Sequence, residues 1–269
     1  MYQKKISKAN PGLIQFLLDD SGSTADSFPG TTDPVFKWNE RYVGIMLKEL
    51  LARSTEVQGG QAKIKPRYYT SFIEYGTRPN IWNEEVMDIE ATVKQYTEGD
   101  NSLGLGGLLG GTDAEAAFKK AYEILSNAVK TEKFKNSFPP MLFHLTDGLS
   151  ATDATQVANK IEQLSTSDGN VLVVNAFIGT QTSLKYKDPE DFPGYTTEQE
   201  AGPSPDNIRL FNMSSEMPEA IYMNLVDDGI FPKLRKSSRL FFDVRSKEQL
   251  KNVIQVVGSI GSRSDRTEK

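Results

Sequence analysis

The chain has 269 residues, a formal net charge of −5 and no cysteine. The missing cysteines exclude a disulfide scaffold, thiolate catalysis and a Cys-based zinc site. The mild acidity argues against a general nucleic-acid binder or a protein drawn to anionic membranes. Hydrophobic residues make up 38% and charged residues 25%, enough to bury a sizeable core.

In chain order, residues 1–12 are polar and lack the apolar core of a signal peptide. Residues 13–18 form an apolar run, read as a strand, which is too short for a membrane span and ends at Asp19 and Asp20. The expectation is a cytoplasmic protein without membrane insertion. A polar loop with Pro29, Gly30 and Pro34 follows at 24–37. Val43, Met46, Leu47, Leu50 and Leu51 recur at helical spacing, and the unit ends at Gly59 and Gly60. Residues 67–75 read as a strand, and 86–89 as an edge strand. After a glycine-rich loop at 104–111, residues 113–128 read as a helix and 140–146 as a strand.

A helix is expected at 153–164, then a nearly continuous apolar strand at 171–178, as when both faces are covered. Residues 181–207 turn polar and rich in Pro and Gly, and read as a surface insertion. A short strand at 208–211, a helix at 218–225 and a strand at 240–244 come next. The capping box Ser246–Gln249 opens a last helix. Alternating strands and helices predict an α/β fold: a doubly wound, mostly parallel central sheet with helices on both faces. One domain is expected at 12–258, with long loops at 24–37 and 181–207 and tails at 1–11 and 259–269.

The first strand's end carries the chemistry. Asp19, Ser21 and Ser23 offer only oxygen donors, which suit Mg²⁺, Mn²⁺ or Ca²⁺ better than zinc or copper. In sheets of this kind, ligands gather at the carboxyl ends of strands, where Asp147 also lies. Gly110-Gly111-Thr112-Asp113 opens a helix, and Thr146-Asp147-Gly148 closes a buried strand.

With these three segments in this order, nearly the whole chain resembles the von Willebrand factor A (vWA) family. That family's metal-ion-dependent adhesion site is Asp-x-Ser-x-Ser, a distant Thr and a distant Asp. The resemblance implies direct ligation by Ser21 and Ser23, and ligation by Thr112 directly or through water. Asp19 and Asp147 would act directly or through water and hydrogen bonds. It further implies one divalent cation, Mg²⁺ ahead of Mn²⁺ or Ca²⁺, and a partner protein that supplies an Asp or Glu to the ion. Two carboxylates neutralise the ion, and hydroxyls add no charge, so it keeps an appetite for one more anionic oxygen. The Gly-Gly-Thr-Asp and Leu-Thr-Asp-Gly contexts are similar to stand-alone cytoplasmic vWA proteins of the tellurium-resistance type.

Plainer readings compete at several positions. Thr112 and Glu115 also spell a capping box. Asp20, Asp113 and Asp153 read as solvated or helix-N-terminal carboxylates. His144, the single histidine, reads as a satisfied core residue facing away from Asp147. The glycines at 104–111 match neither a dinucleotide loop nor a P-loop. An enzyme of the haloacid-dehalogenase-like phosphatase kind would need a carboxylate where Ser21 stands, and serine cannot titrate in that role. A structural subunit with a merely stabilising metal is the third reading. The expectation is a non-enzymatic binding module.

Overall fold

The computed structural model describes residues 2–82, 86–107, 109–148, 150–179 and 188–259. Strand β1 (Gly12–Asp19) is buried along its whole length. It leads through a 3-10 turn, Gly22–Ala25, into α1 (Val35–Arg53), whose apolar stripe faces inward. A hairpin follows, β2 (Thr55–Gln58) and β3 (Gln61–Ile64). Gly59 and Gly60 both have positive φ, as a two-residue hairpin turn requires. Next come β4 (Tyr68–Tyr75), β5 (Pro79–Ile81), β6 (Met87–Asp88) and α2 (Ile89–Glu98), which Asp88 caps.

Helix α3 (Ala114–Ala128), β7 (Met141–Thr146) and α4 (Thr155–Gln163) form the middle of the chain. A small hairpin, β8 (Ser165–Thr166) and β9 (Gly169–Asn170), precedes β10 (Leu172–Ile178). Helices α5 (Glu198–Ala201), α6 (Pro205–Asn212) and α7 (Glu219–Asp227) lead to β11 (Phe241–Val244) and α8 (Lys247–Ser259).

The main sheet runs β11-β10-β7-β1-β4, all parallel, with β5 and β6 antiparallel to β4. This is the doubly wound, single-domain α/β architecture expected. Alternate side chains enter two cores. Phe16, Leu18, Phe72 and Phe143 pack toward α1, α2, α7 and α8, with Phe16 stacked on Phe72 at 4.6 Å. Leu17, Ile73, Leu142 and Val173 pack toward α3 and α4. Each such side chain contributes about 1.5–3 kcal/mol by leaving water.

Chain order explains where a site can form. From β1 the chain moves out to β4, then returns to β7 on β1's other side. The connection after β1 enters α1 on one face, and that after β7 enters α4 on the other. The carboxyl ends of β1 and β7 therefore flank the topological switch point.

Several local expectations change. Residues 208–211 are helical, part of α6. Pro205 sits in the first turn and Asp206 beside it, while Asn207, Leu210 and Phe211 supply a helical buried stripe. The β2–β3 hairpin replaces the plain helix end expected at Gly59 and Gly60. In the expected surface insertion, residues 181–187 lie outside the described residues, but Phe192 and Tyr195 are core members. Phe192 packs edge-on to Phe231, and Tyr195 tilts against Phe241. Two well-placed aromatics anchor a segment whose average composition is polar. Ser246 caps α8 as expected, its Oγ accepting from Gln249 N at 3.1 Å, while Gln249 Oε1 accepts from Arg245 N at 2.7 Å, one residue before the amide a strict capping box would take.

Candidate metal centre

Asp19 is the last residue of β1 and is fully buried. Its Oδ1 accepts from Ser21 N at 3.0 Å, and its Oδ2 accepts from Thr146 Oγ1 at 2.7 Å. The 3-10 turn brings the Ser21 and Ser23 hydroxyls to 3.1 Å from each other. Thr24 Oγ1 donates to Ser21 O at 2.7 Å and holds that turn closed.

The segment bearing Thr112 is clasped from three sides. Gly22 N donates to Gly110 O at 2.8 Å, tying it to the Ser21–Ser23 turn. Asp113 N donates to Gly76 O at 2.7 Å, tying it to the end of β4. Ala151 N donates to Thr112 O at 3.0 Å, tying it to the loop after Asp147. The three predicted segments are thus joined by backbone hydrogen bonds. Thr112 does not cap α3. Asp113 does, its Oδ1 accepting from Ala116 N at 3.0 Å and from Thr152 Oγ1 at 2.8 Å. Glu115 pairs with Lys119 at 2.6 Å instead of closing a capping box. Asp113 stands one residue nearer the helix, and Thr152 Oγ1 holds its carboxylate against the free amide.

Asp20 departs from the solvated role expected of it. It is buried, and its Oδ1 accepts from Gly106 N at 2.8 Å and Gly107 N at 2.6 Å. Glu40 of α1 does the same for the preceding residues. Its Oε1 takes Ser102 Oγ at 2.6 Å and the amides of Leu103, Gly104 and Leu105. Two carboxylates therefore shape the glycine loop that leads to Thr112. Asp20 fills a variable position of the first motif and Glu40 lies outside all three segments, and only the fold brings them to those amides.

Asp147 follows β7 and is partly buried. Burial, and then the negative charge of Asp147, push the Asp19 carboxyl up to about 6, against the pull of its Ser21 and Thr146 hydrogen bonds. Two carboxylates repelling in a buried setting, beside two hydroxyls at chelating separation, fit a divalent cation. Among the described residues no three His, Asp or Glu side chains group as a metal cage. The oxygen donors brought together here are the Asp19 and Asp147 carboxylates and the Ser21 and Ser23 hydroxyls, and the Thr112 segment is clasped beside them through its backbone.

Behind Asp19 runs a buried polar column. Tyr75 Oη lies 2.6 Å from His144 Nε2, and His144 Nδ1 lies 2.7 Å from Asn175 Oδ1. Asn175 Nδ2 donates to Ser214 Oγ at 2.9 Å. With the Asn175 oxygen as acceptor, His144 carries its proton on Nδ1 and accepts from Tyr75 on Nε2. His144 is the satisfied core residue expected, and burial holds its pKa down at about 4. In the sequence motif Thr146 is only the context of Asp147. Its place two residues after His144, on the same strand face, was the available signal.

No protein-family profile and no curated protein matches this chain in sequence. Solved structures do match its fold. Proximal thread matrix protein 1 from the mussel byssus is 15% identical with a TM-score of 0.51, over 92% of this chain and 47% of its own. The chain thus spans about half the length of that neighbour. A structure of the same mussel protein "with zinc occupied MIDAS motif" matches with a TM-score of 0.50 and 15% identity, covering 92% and 48%. The D319A mutant of the PilB minor pilin from Streptococcus sanguinis matches with a TM-score of 0.53 and 9% identity, covering 92% and 60%. The fold of this chain is therefore vWA-like.

Proposed function

We propose that this protein is a metal-dependent protein-interaction module. A divalent cation is held by Ser21, Ser23, Thr112, Asp19 and Asp147, and it captures an Asp or Glu side chain of a partner protein. One observation carries the reading: at the β1/β7 switch point the Asp19 and Asp147 carboxylates repel each other beside a pair of hydroxyls 3.1 Å apart, while the Asp20 carboxylate is turned to the amides of Gly106 and Gly107. That charge neutralises a divalent ion without saturating it, so an anionic oxygen from outside is the natural further ligand. The vWA-like fold supports the same reading.

The all-oxygen donor set favours Mg²⁺, which keeps several waters among its ligands. The mussel neighbour's zinc-occupied motif is reason to include zinc in any titration. An enzymatic role draws less support. Ser21 stands where a phosphatase of the haloacid-dehalogenase-like kind needs a carboxylic acid, and both nitrogens of the only histidine are engaged in the core. The narrower reading, a cytoplasmic protein of the tellurium-resistance type, rests on chain length and on the Gly110–Asp113 and Leu145–Gly148 contexts.

The test is affinity capture with the purified chain in Mg²⁺ and in chelator, alongside Ser21→Ala. A partner retained only with Mg²⁺, and lost with Ser21→Ala, is expected. Metal-stimulated hydrolysis of a generic phosphate ester, abolished by Asp19→Asn, would overturn the proposal in favour of an enzyme. Partners retained equally in both buffers would leave the metal a structural role.

A further inference from the structure

We propose that the groove between α1 and α2 is a second docking surface, for an acidic segment of a partner protein that carries one apolar anchor residue. The groove encloses about 640 Å³. Lys37, Arg41 and Lys48 lie along its α1 side, at spacings of four and seven residues, and all three are exposed. On a helix these are successive positions of one face, roughly 6 and 10 Å apart along the axis. Carboxylates four and seven residues apart on an acidic helix would meet that spacing.

The local charge runs against that of the chain, which is −5 overall. Of the two acids at the groove, Glu40 is turned to the glycine loop, where its Oε1 takes four donors, and only Asp33 is exposed. Ile45 sits among the cations and is 50% exposed. Val57, at the β2–β3 hairpin, is the other exposed large hydrophobic residue among those described. An isoleucine ringed by cations is a place for an apolar side chain flanked by acids.

The floor is aromatic and specifically built. A Cβ on Gly44 would stand 2.1 Å from the Tyr96 hydroxyl, so glycine lets the ring lie directly against α1. Trp38 forms the adjoining floor, with the Arg41 guanidinium 4.9 Å from its ring centroid. Apolar floor, single anchor and cationic rim follow the anatomy of a protein-recognition groove, a desolvated centre inside a charged rim. A nucleic acid would ask for a broader basic field than three side chains on an acidic protein. An anionic bilayer would ask for more than one exposed isoleucine.

This surface involves none of the metal-centre residues, so it stands or falls separately from the proposed function. The experiment is fluorescence anisotropy with a labelled twelve-residue peptide of Glu and Asp around one central Leu, measured in chelator. Binding is expected without metal and unchanged by Ser21→Ala. It should weaken about tenfold with Lys48→Glu and with Ile45→Ser, and also weaken as salt rises. Both substitutions are at exposed positions, and unchanged circular dichroism checks the fold. Equal binding of a Lys-based control peptide, or insensitivity to both substitutions, would overturn the proposal. So would loss of binding in chelator, which would send the acids to the metal centre. Tighter retention on anionic vesicles or DNA than by the peptide would overturn it too.

Discussion

Thr146 Oγ1 donates to Asp19 Oδ2 at 2.7 Å, joining the carboxyl ends of β7 and β1 across the switch point. The same oxygen accepts from Gly148 N at 3.0 Å. One hydroxyl thus orients the Asp19 carboxylate and starts the turn that presents Asp147. Thr146→Val keeps the shape and removes both bonds. It should cost about 2–3 kcal/mol in stability, since a buried carboxylate and an amide lose partners. Thr146→Ser should restore most of it. Urea denaturation reads the stability, and Mn²⁺ titration reads the accompanying loss of metal affinity.

Asp147→Asn should act with opposite signs on the free and the metal-loaded protein. Burial and the Asp147 charge raise the Asp19 carboxyl to about 6, so the metal-free fold loses stability as pH rises from near 4 through 6. Removing the Asp147 charge relieves the smaller part of that penalty and leaves the burial part in place. Without metal, the variant should melt higher than wild type at pH 7. With Mg²⁺ it should gain less than wild type, because a ligand charge is missing. Thermal melts in chelator and in Mg²⁺ check both signs.

His144 predicts an acid-side loss of stability. Its folded pKa is about 4, against 6.5 for an unhindered imidazole, because burial disfavours the charged ring. A lowered base binds fewer protons folded than unfolded between those values. Stability is therefore full above about 6.5 and falls as pH drops toward 4, by about 3 kcal/mol from this group. His144→Gln should flatten that slope. It should also lower stability near pH 7, since Tyr75 and Asn175 lose their shared partner. Denaturant midpoints at pH 7.5, 6 and 5 distinguish the two effects.

Glu40→Gln tests how far the glycine loop depends on a carboxylate distant from any ligand. An amide oxygen accepts more weakly, and the amides of Leu103, Gly104 and Leu105 all converge on it. Hydrogen exchange at those amides should speed up about tenfold or more. Exchange at β1 and β7 should stay unchanged. Uniform protection across the loop would show that Asp20 alone suffices.

Much of this protein was legible in its sequence because periodicity and local chemistry report on themselves. Apolar β1 ending in Asp19-Asp20-Ser21-Gly22-Ser23, the Ser246 cap of α8 and the continuous run of β10 are local statements, and each appears in the structure. What failed were decisions between near-equal local options. Residues 208–211 are apolar enough for a strand, but Pro205 and Asp206 start a helix whose buried stripe has a place to go. At α3, by contrast, Asp113 was read as a helix-N-terminal carboxylate, and it is the cap, with Thr152 Oγ1 holding its carboxylate.

The ends of β1 and β7 become neighbours only through the order β4-β1-β7, which no local pattern encodes. The roles of Thr146, Asp20 and Glu40 follow from that neighbourhood. A side chain's partners are set by which strands pair and which loops those strands bring together. Sequence determined that oxygen donors stand at a strand's end. Tertiary structure decided which charges they face, since repulsion and hydrogen bonding act over a few ångströms of space whatever the separation along the chain.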